Sequence, residues 1–324
     1  MGVRKAFFVA FGGALVFVLC GHLAVVYCQL GVPTQSSRWA YEINQKKLGA
    51  AANIQKPKLL LVGGSATLFG IQAELIESTL NYPAVNLGTH AALGVRYMLH
   101  MARQAAKPGD AVVLAFEYSN YSTLVRRDAL YLDYLLARDP AYFRQLPLSE
   151  KFRVAMSVTM PRLRKGLLNR FRQERQRTPF DVYNSAKMNS HGDLLGHESA
   201  NRPANRRLHR ADGFLMNGSE GKIPPAFEAI KEFVRWARAK GVRVYATYPS
   251  VVDNPAYHTD RAHKGLERLR AGYERLDVPI VGRVEESMMP ASAGYDTHYH
   301  LTREGARART ELLIPHLAAA LGEH

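Results

Sequence analysis

The sequence predicts an α/β protein: a doubly wound parallel sheet of about five strands, preceded by a membrane-spanning helix and interrupted by a helical insertion. Three observations lead there. Short aliphatic runs alternate with helical patterns from residue 58 onward, an uncharged run fills residues 6–28, and the alternation breaks over about 120–225. Strand and helix in alternation favour a parallel sheet covered on both faces.

The run at 6–28, AFFVAFGGALVFVLCGHLAVVYC, carries no formal charge, and about 20 apolar residues suffice for a helix to cross a bilayer. Arg4 and Lys5 precede it and stay cytoplasmic by the positive-inside rule, which places the body outside that membrane. Arg38, Lys46 and Lys47 on the far side reduce the asymmetry. A cleaved signal peptide is the rival reading, but the apolar run is long and no A-x-A site follows it. Leu19 and Tyr27, before the two cysteines, are too large for a usual lipoprotein cleavage site. The expected organisation is an uncleaved anchor over 1–30, a juxtamembrane linker or helix over 31–57, and one α/β domain over 58–324 with its insertion at about 120–225.

Cys20 and Cys28 are the only cysteines and both lie in the apolar run. The body therefore depends on packing, without disulfides or thiolate metal sites.

Lys plus Arg number 43 against 28 Asp plus Glu, and the excess is densest in PRLRKGLLNRFRQERQR, residues 161–177. Leu163, Leu167, Leu168 and Phe171 recur there at helical spacing, so the piece reads as an amphipathic helix with a basic face. A solvated helix on the insertion, or one meeting an anionic membrane surface or acidic glycan, both fit. Nucleic acid is the weakest option, because no nucleic-acid motif accompanies the charge.

The strand candidates are 58–62, 84–87, 111–116, 242–248 and 278–281, short and aliphatic as strands buried on both faces are. The clearest helix is AFEAIKEFVRWARAKG, residues 226–241, with an apolar stripe of Phe227, Ile230, Phe233, Val234 and Ala237, and Gly241 where a C-terminal cap belongs. In the insertion, helical patterns at 130–137 and 152–171 precede a polar stretch, 183–210, with no sustained period. An excursion this long is usually functional when it is ordered.

The first strand runs into a glycine turn, KLLLVGGSATLFGIQAELI, with Gly63, Gly64 and Ser65 at its tip. Ligands of open α/β sheets bind beyond the carboxyl ends of the strands, where this turn lies. It is not a P-loop, which needs Gly-Lys-Ser or Gly-Lys-Thr, and it does not fit G-x-G-x-x-G. Thr67 stands where the G-x-S-x-G elbow needs its second glycine. A serine that merely caps the next helix is the structural alternative.

Near the other end, YDTHYHLTREG places Asp296, His298 and His300 at alternate positions before a final helix. If extended, these three point to one face and a metal site becomes possible. Two other readings stand beside it: surface polars, and a relay in which an imidazole activates Ser65.

Gly63-Gly64-Ser65 after strand one, Asn86-Leu87-Gly88 after strand two, and His300 followed by Leu301, Thr302 and Gly305 together resemble the ordered blocks of the SGNH/GDSL hydrolase superfamily. The likeness covers about residues 58–320 outside the insertion. It is greatest to the membrane-anchored extracytoplasmic branch related to alginate O-acetyltransferases and the teichoic-acid D-alanyl transfer protein. The resemblance implies a flavodoxin-like SGNH fold, Ser65 as nucleophile and His300 as general base. The family's acid stands three residues before the histidine. Thr297 occupies that place here, and Asp296, four before, is the acid that can substitute. Backbone N–H groups of Ser65 and Gly88 are the implied oxyanion donors, with Asn120 in AFEYSNY as the third, and Gly64 replaces the usual aspartate before the nucleophile. His298 and His191 become candidate substrate contacts; His90 and His197 are expected to be satisfied polars.

The expected function is that of a serine esterase or O-acyltransferase, O-acetyl in the first instance, needing no cofactor or metal. Its implied setting is the periplasmic side of the inner membrane, with a cell-envelope glycan or exopolysaccharide as substrate and a multispanning membrane acyltransferase as partner in the case of transfer. The alternative is a chain that has kept the fold but lost the chemistry and serves as a glycan-binding or scaffolding subunit.

Overall fold

The structure, a computed structural model, describes residues 2–122, 128–171, 182–204, 206–211 and 223–322. In chain order its helices are α1 (Val3–Cys28), α2 (Arg38–Asn53), α3 (Ser65–Gly70), α4 (Ala73–Leu80), α5 (Gly94–Ala105), α6 (Tyr118–Ser122), α7 (Ala129–Asp133), α8 (Pro140–Gln145), α9 (Leu148–Ser157), α10 (Met160–Arg170), α11 (Ala226–Ala239), α12 (Asp260–Glu274), α13 (Val284–Ser287) and α14 (Arg303–Gly322). The strands are β1 (Leu59–Gly63), β2 (Ala84–Asn86), β3 (Ala111–Ala115), β4 (Arg243–Ala246), β5 (Val251–Val252) and β6 (Met288–Met289). The chain divides into two compact units, Met1–Tyr41 with Arg127–Thr178, and Glu42–Arg126 with Pro179–His324.

The larger unit is built on a four-stranded parallel sheet in the order β2-β1-β3-β4. Its central strands are apolar throughout because both faces are covered. Leu60, Val62, Val112 and Leu114 share one core with α5, α11 and α12. The intervening Leu59, Leu61, Ala111 and Val113 face the other way, against Ile76 of α4 and Leu313, Ile314 and Leu317 of α14. Successive strand residues take opposite faces, and each has a helix layer waiting for it.

The expected stripe of α11 is buried, and its end is capped as the sequence implies. Gly241 adopts φ +68°, and the Val242 N–H reaches back to Ala237 O at 2.9 Å. The expected fifth strand is reduced to a single parallel bridge, Ala246 with Ile280. Pro279 lacks the N–H that a ladder needs, and Gly282 turns the chain away at φ +83°. A small parallel pair, β5 with β6, stands apart from the main sheet.

The stretch at 182–204 has little regular structure but is tied to the larger unit by polar groups. The Asn86 N–H donates to His191 O at 2.8 Å, and the Asp193 carboxylate accepts from the Ala73 and Glu74 N–H groups at the start of α4. This is N-terminal capping supplied from a distant loop. Lys47, buried under the same loop, donates to Asn86 O at 2.8 Å. Burial lowers its ammonium to about 7, against the attraction of Asp193.

The smaller unit contains α1, a helix long and apolar enough to cross a membrane, with a mean hydropathy of 2.3 over its most apolar window. The chain leaving it is tied to α7 and α10 through a buried ion pair, Arg162 Nε with Asp133 Oδ1 at 2.7 Å. Arg162 also donates to Gln29 Oε1 and Val32 O, both at 2.8 Å, and Asp133 accepts from Ser37 Oγ. The basic helix expected at 161–177 is present as α10; residues 172–177 of that stretch lie outside the described residues.

Phe233→Ala, which empties a fully buried site among α5, α11 and the sheet, is expected to lower unfolding stability by about 3–5 kcal/mol. Leu312→Ala, on the exposed side of α14, is expected to change it by less than about 1 kcal/mol. Denaturant unfolding of the detergent-solubilised chain separates the two, and equal losses contradict the assignment of faces.

Candidate active site

The order in which strands are added reverses between β1 and β3: the chain runs from β1 outward to β2, then returns to the other side of β1. Gly63 pairs with Ala115 at the carboxyl ends of these strands, so the two residues after each pair are brought together there. They are Ser65 and Glu117. Ser65 is the first residue of α3, and its hydroxyl donates to Glu117 Oε1 at 3.2 Å, while the Ala66 N–H donates to the same oxygen at 2.8 Å. The Thr67 hydroxyl donates to Ala115 O, fastening the next residue of α3 to β3.

Glu117 lies in the space that a side chain at position 64 would need. A Cβ built on Gly64 falls 2.2 Å from Glu117 Oε2 and 2.4 Å from Oε1. Glycine at 64 is thus a steric condition for this carboxyl, and only the close approach explains it.

The last block arrives over the same helix. Residues 295–300 form a tight turn, with the Tyr295 N–H donating to His300 O at 2.7 Å and Gly294 bridging antiparallel to Leu301. His300 Nδ1 sits 2.6 Å from Asp296 Oδ1, and the Tyr183 hydroxyl lies 3.5 Å from both that ring nitrogen and Asp296 Oδ2. The imidazole stacks on Phe69, ring centroids 4.1 Å apart and planes 11° from parallel. Phe69 follows Ser65 by four residues, one turn of helix, so both lie on the same face of α3. The Tyr118 N–H donates to the Tyr299 hydroxyl, which joins the end of β3 to the residue before His300. Ser65 and Glu117 thus meet at the start of α3, and Asp296 and His300 meet over Phe69 one turn further on, with the serine hydroxyl bonded to Glu117 and not to the imidazole.

Other expected members are placed differently. The Gly88 N–H donates to Asn86 Oδ1 at 2.8 Å, and the buried Asn120 amide donates to Glu117 Oε2 at 2.8 Å, so two of the three expected oxyanion donors are engaged within the protein. The reason is local: Asn86 folds back over its own turn, and the buried Glu117 carboxyl draws the nearest amide. The Ser65 N–H, first in α3, has no carbonyl partner within its helix.

His191 is turned to Glu77, with its Nε2 at 3.4 Å from Oε2. The His298 ring lies against Tyr299, and its carbonyl accepts from the Val252 N–H. Because 296–300 is a turn and not an extended strand, the common face that a metal would need is missing, and among the described residues no three acid, histidine or cysteine side chains group to hold one. His197 is a buried polar whose two ring nitrogens lie 3.0 and 2.9 Å from Leu301 O and Leu194 O.

The two carboxyls are shifted in opposite directions. Burial raises Glu117 above its ordinary value of 4.5, against hydrogen bonds from Ala66 and Ser65 and the attraction of His300. Burial also disfavours charge on Asp296, but the hydrogen bond and charge of His300 outweigh it and hold this carboxyl below 3.8. One is biased to keep a proton and the other to lose it, a separation common where carboxyl groups have different tasks.

Three groups escape the sequence motifs: Glu117, Phe69 and Tyr183. The first had a readable signal, an acid directly after a wholly apolar strand at its ligand-binding end; the other two had none. No family model and no curated protein matches the chain.

The raised Glu117 gives a pH test. Its contribution to stability is complete below 4.5 and is lost as pH rises through its folded value, because the unfolded chain releases that proton first. Wild-type stability is expected to decline relative to Glu117→Gln as pH rises above 4.5, read from denaturation midpoints across pH. Parallel curves contradict it.

Proposed function

We propose that this chain is a serine acyl-ester enzyme of SGNH type, an esterase or O-acyltransferase acting on a cell-envelope polysaccharide through an acyl-serine intermediate. The observation that carries the reading is an imidazole bound to a carboxylate and stacked one helical turn from Ser65.

In this mechanism Asp296 accepts from the His300 Nδ1–H and leaves Nε2 as the base. The Ser65 hydroxyl turns from Glu117 to the imidazole, gives up its proton and attacks the acyl carbonyl. Asp296 stabilises the imidazolium by its hydrogen bond. The Ser65 N–H receives the oxyanion. Gly88 and Asn120 join it only by releasing Asn86 and Glu117, and each donor gained or lost is worth ~100-fold or more in rate. His300 returns its proton to the departing alcohol, then activates water or a sugar hydroxyl to attack the acyl-serine. Water yields an esterase and a sugar hydroxyl yields an O-acyltransferase.

With α1 as the anchor, the unit that carries Ser65 works on the periplasmic side of the inner membrane. For transfer, a multispanning membrane acyltransferase supplies the acyl group. The specific observation favouring a second reading is that Ser65, Gly88 and Asn120 all make their hydrogen bonds inside the protein. A glycan-binding or scaffolding subunit needs no more than that.

A fluorophosphonate probe, which reacts with activated serines, separates the two readings. Wild type is expected to label, with Ser65→Ala abolishing labelling and His300→Ala reducing it at least ~100-fold, since either change removes an essential part of the relay. A folded wild type that fails to label supports the binding subunit.

A further inference from the structure

The smaller unit carries a cavity that the serine chemistry leaves unused. It lies between the end of α1 and helices α8 and α9, has a volume of about 530 Å³, and is lined by Leu23, Val26, Leu30, Phe143, Leu148 and Phe152, with the apolar stems of Arg144 and Lys151 completing its wall. The depth of this cavity follows from α1. Twenty-six residues of helix span about 39 Å, while a hydrocarbon core is about 30 Å thick, so the last turns of α1 reach headgroup level. Just before that end α9 touches the span: His22 Nε2 lies 2.9 Å from Ala155 O, about 9 Å of helix before Cys28.

Helix α10 is held to the same exit. The Gln29 amide donates to Leu163 O and the Asn169 amide to Pro33 O, and Arg170 bonds Cys28 O. Helices so fixed present an apolar surface outward, with Leu148 at 82 %, Met160 at 73 % and Phe171 at 84 % exposure. Residues 140–171 also carry seven basic side chains against one acid, Glu150, and of the seven only Arg162 is taken by the buried pair with Asp133. Large apolar side chains in open exposure beside clustered cations at the mouth of a membrane span match an interfacial bilayer environment.

We propose that this cavity is a binding site for one anionic phospholipid of the surrounding membrane. One acyl chain enters between α1 and α9 against Leu23, Val26 and Phe152, and the phosphate is held by Arg144 and Lys151. The outer apolar residues of α9 and α10 rest in the same leaflet. The occupant is specified by continuity of the cavity with the membrane-spanning helix and by charge: an uncharged lipid brings no counter-charge to the two cations, and a soluble acidic glycan leaves the apolar wall empty.

The test uses the full chain in vesicles, with Trp39 and Trp236 changed to Phe so that a single introduced indole reports. The cavity reporter is Phe152→Trp, a half-exposed position that tolerates the larger ring. A separate variant, Phe11→Trp within α1, is the span reporter and shows that the helix has inserted. The probe is phosphatidylglycerol or phosphatidylcholine brominated on its acyl chains, each as a minor component of unbrominated phosphatidylcholine. The expected result is quenching of the span reporter by both lipids. The cavity reporter is expected to be quenched at a brominated phosphatidylglycerol concentration about tenfold or more below that needed for phosphatidylcholine, as two cations near an anionic headgroup provide. Arg144→Glu with Lys151→Glu is expected to remove that preference. Equal quenching of the cavity reporter by the two lipids overturns the choice of an anionic lipid. A cavity reporter left unquenched while the span reporter is quenched overturns the lipid cavity, and an unquenched span reporter removes its premise. None of these readouts depends on Ser65.

Discussion

The site depends on one contact, the stack of the His300 ring on Phe69. It joins the first βα turn to the last block before α14, regions far apart in sequence that no hydrogen bond between Ser65 and His300 holds together among the described residues. An imidazole flat against a phenyl ring at 4.1 Å keeps little freedom to rotate, and Asp296 on Nδ1 fixes what remains. Phe69 in turn is held by edge contacts from Tyr183 and His197 and by Tyr295 stacked nearby. The aromatic cluster sets the position of the imidazole, and the hydrogen bond sets which nitrogen it presents.

The second constraint is the carboxyl of Glu117, buried at the point where the strand order reverses. It accepts from Ala66, Ser65 and Asn120 at once and occupies the volume that Gly64 leaves open. This carboxyl explains two departures from the expected pattern together. A side chain at 64 has no room, and the Asn120 amide is drawn away from the site of a developing oxyanion. The turn is thus organised around holding Ser65 in a defined resting position.

Much of this was legible in the sequence because it follows from local rules. Strands buried on both faces read as aliphatic runs, α11 reads as a stripe ending in Gly241, and a serine at the end of β1 lies where open sheets bind ligands. What escaped depends on packing at long range. Pro279 cuts the expected fifth strand to one bridge, and the irregular run 182–204 becomes a brace for β2 and α4 through Asn86 and Asp193. Gly88 and Asn120 looked like donors because their positions fit, but a buried acceptor beside each decides where an N–H points.

The smaller unit carries α1, a helix long and apolar enough to cross a membrane, and the larger unit carries Ser65. The central claim, that this serine forms a covalent acyl intermediate, is tested most directly by rapid acid quench of the full chain with an activated acetyl ester, followed by peptide mass mapping. The account predicts one acetyl group on the peptide bearing Ser65, absent in His300→Ala on the same time scale. An unmodified Ser65 in the folded protein, or an acetyl group carried by a different residue, contradicts it.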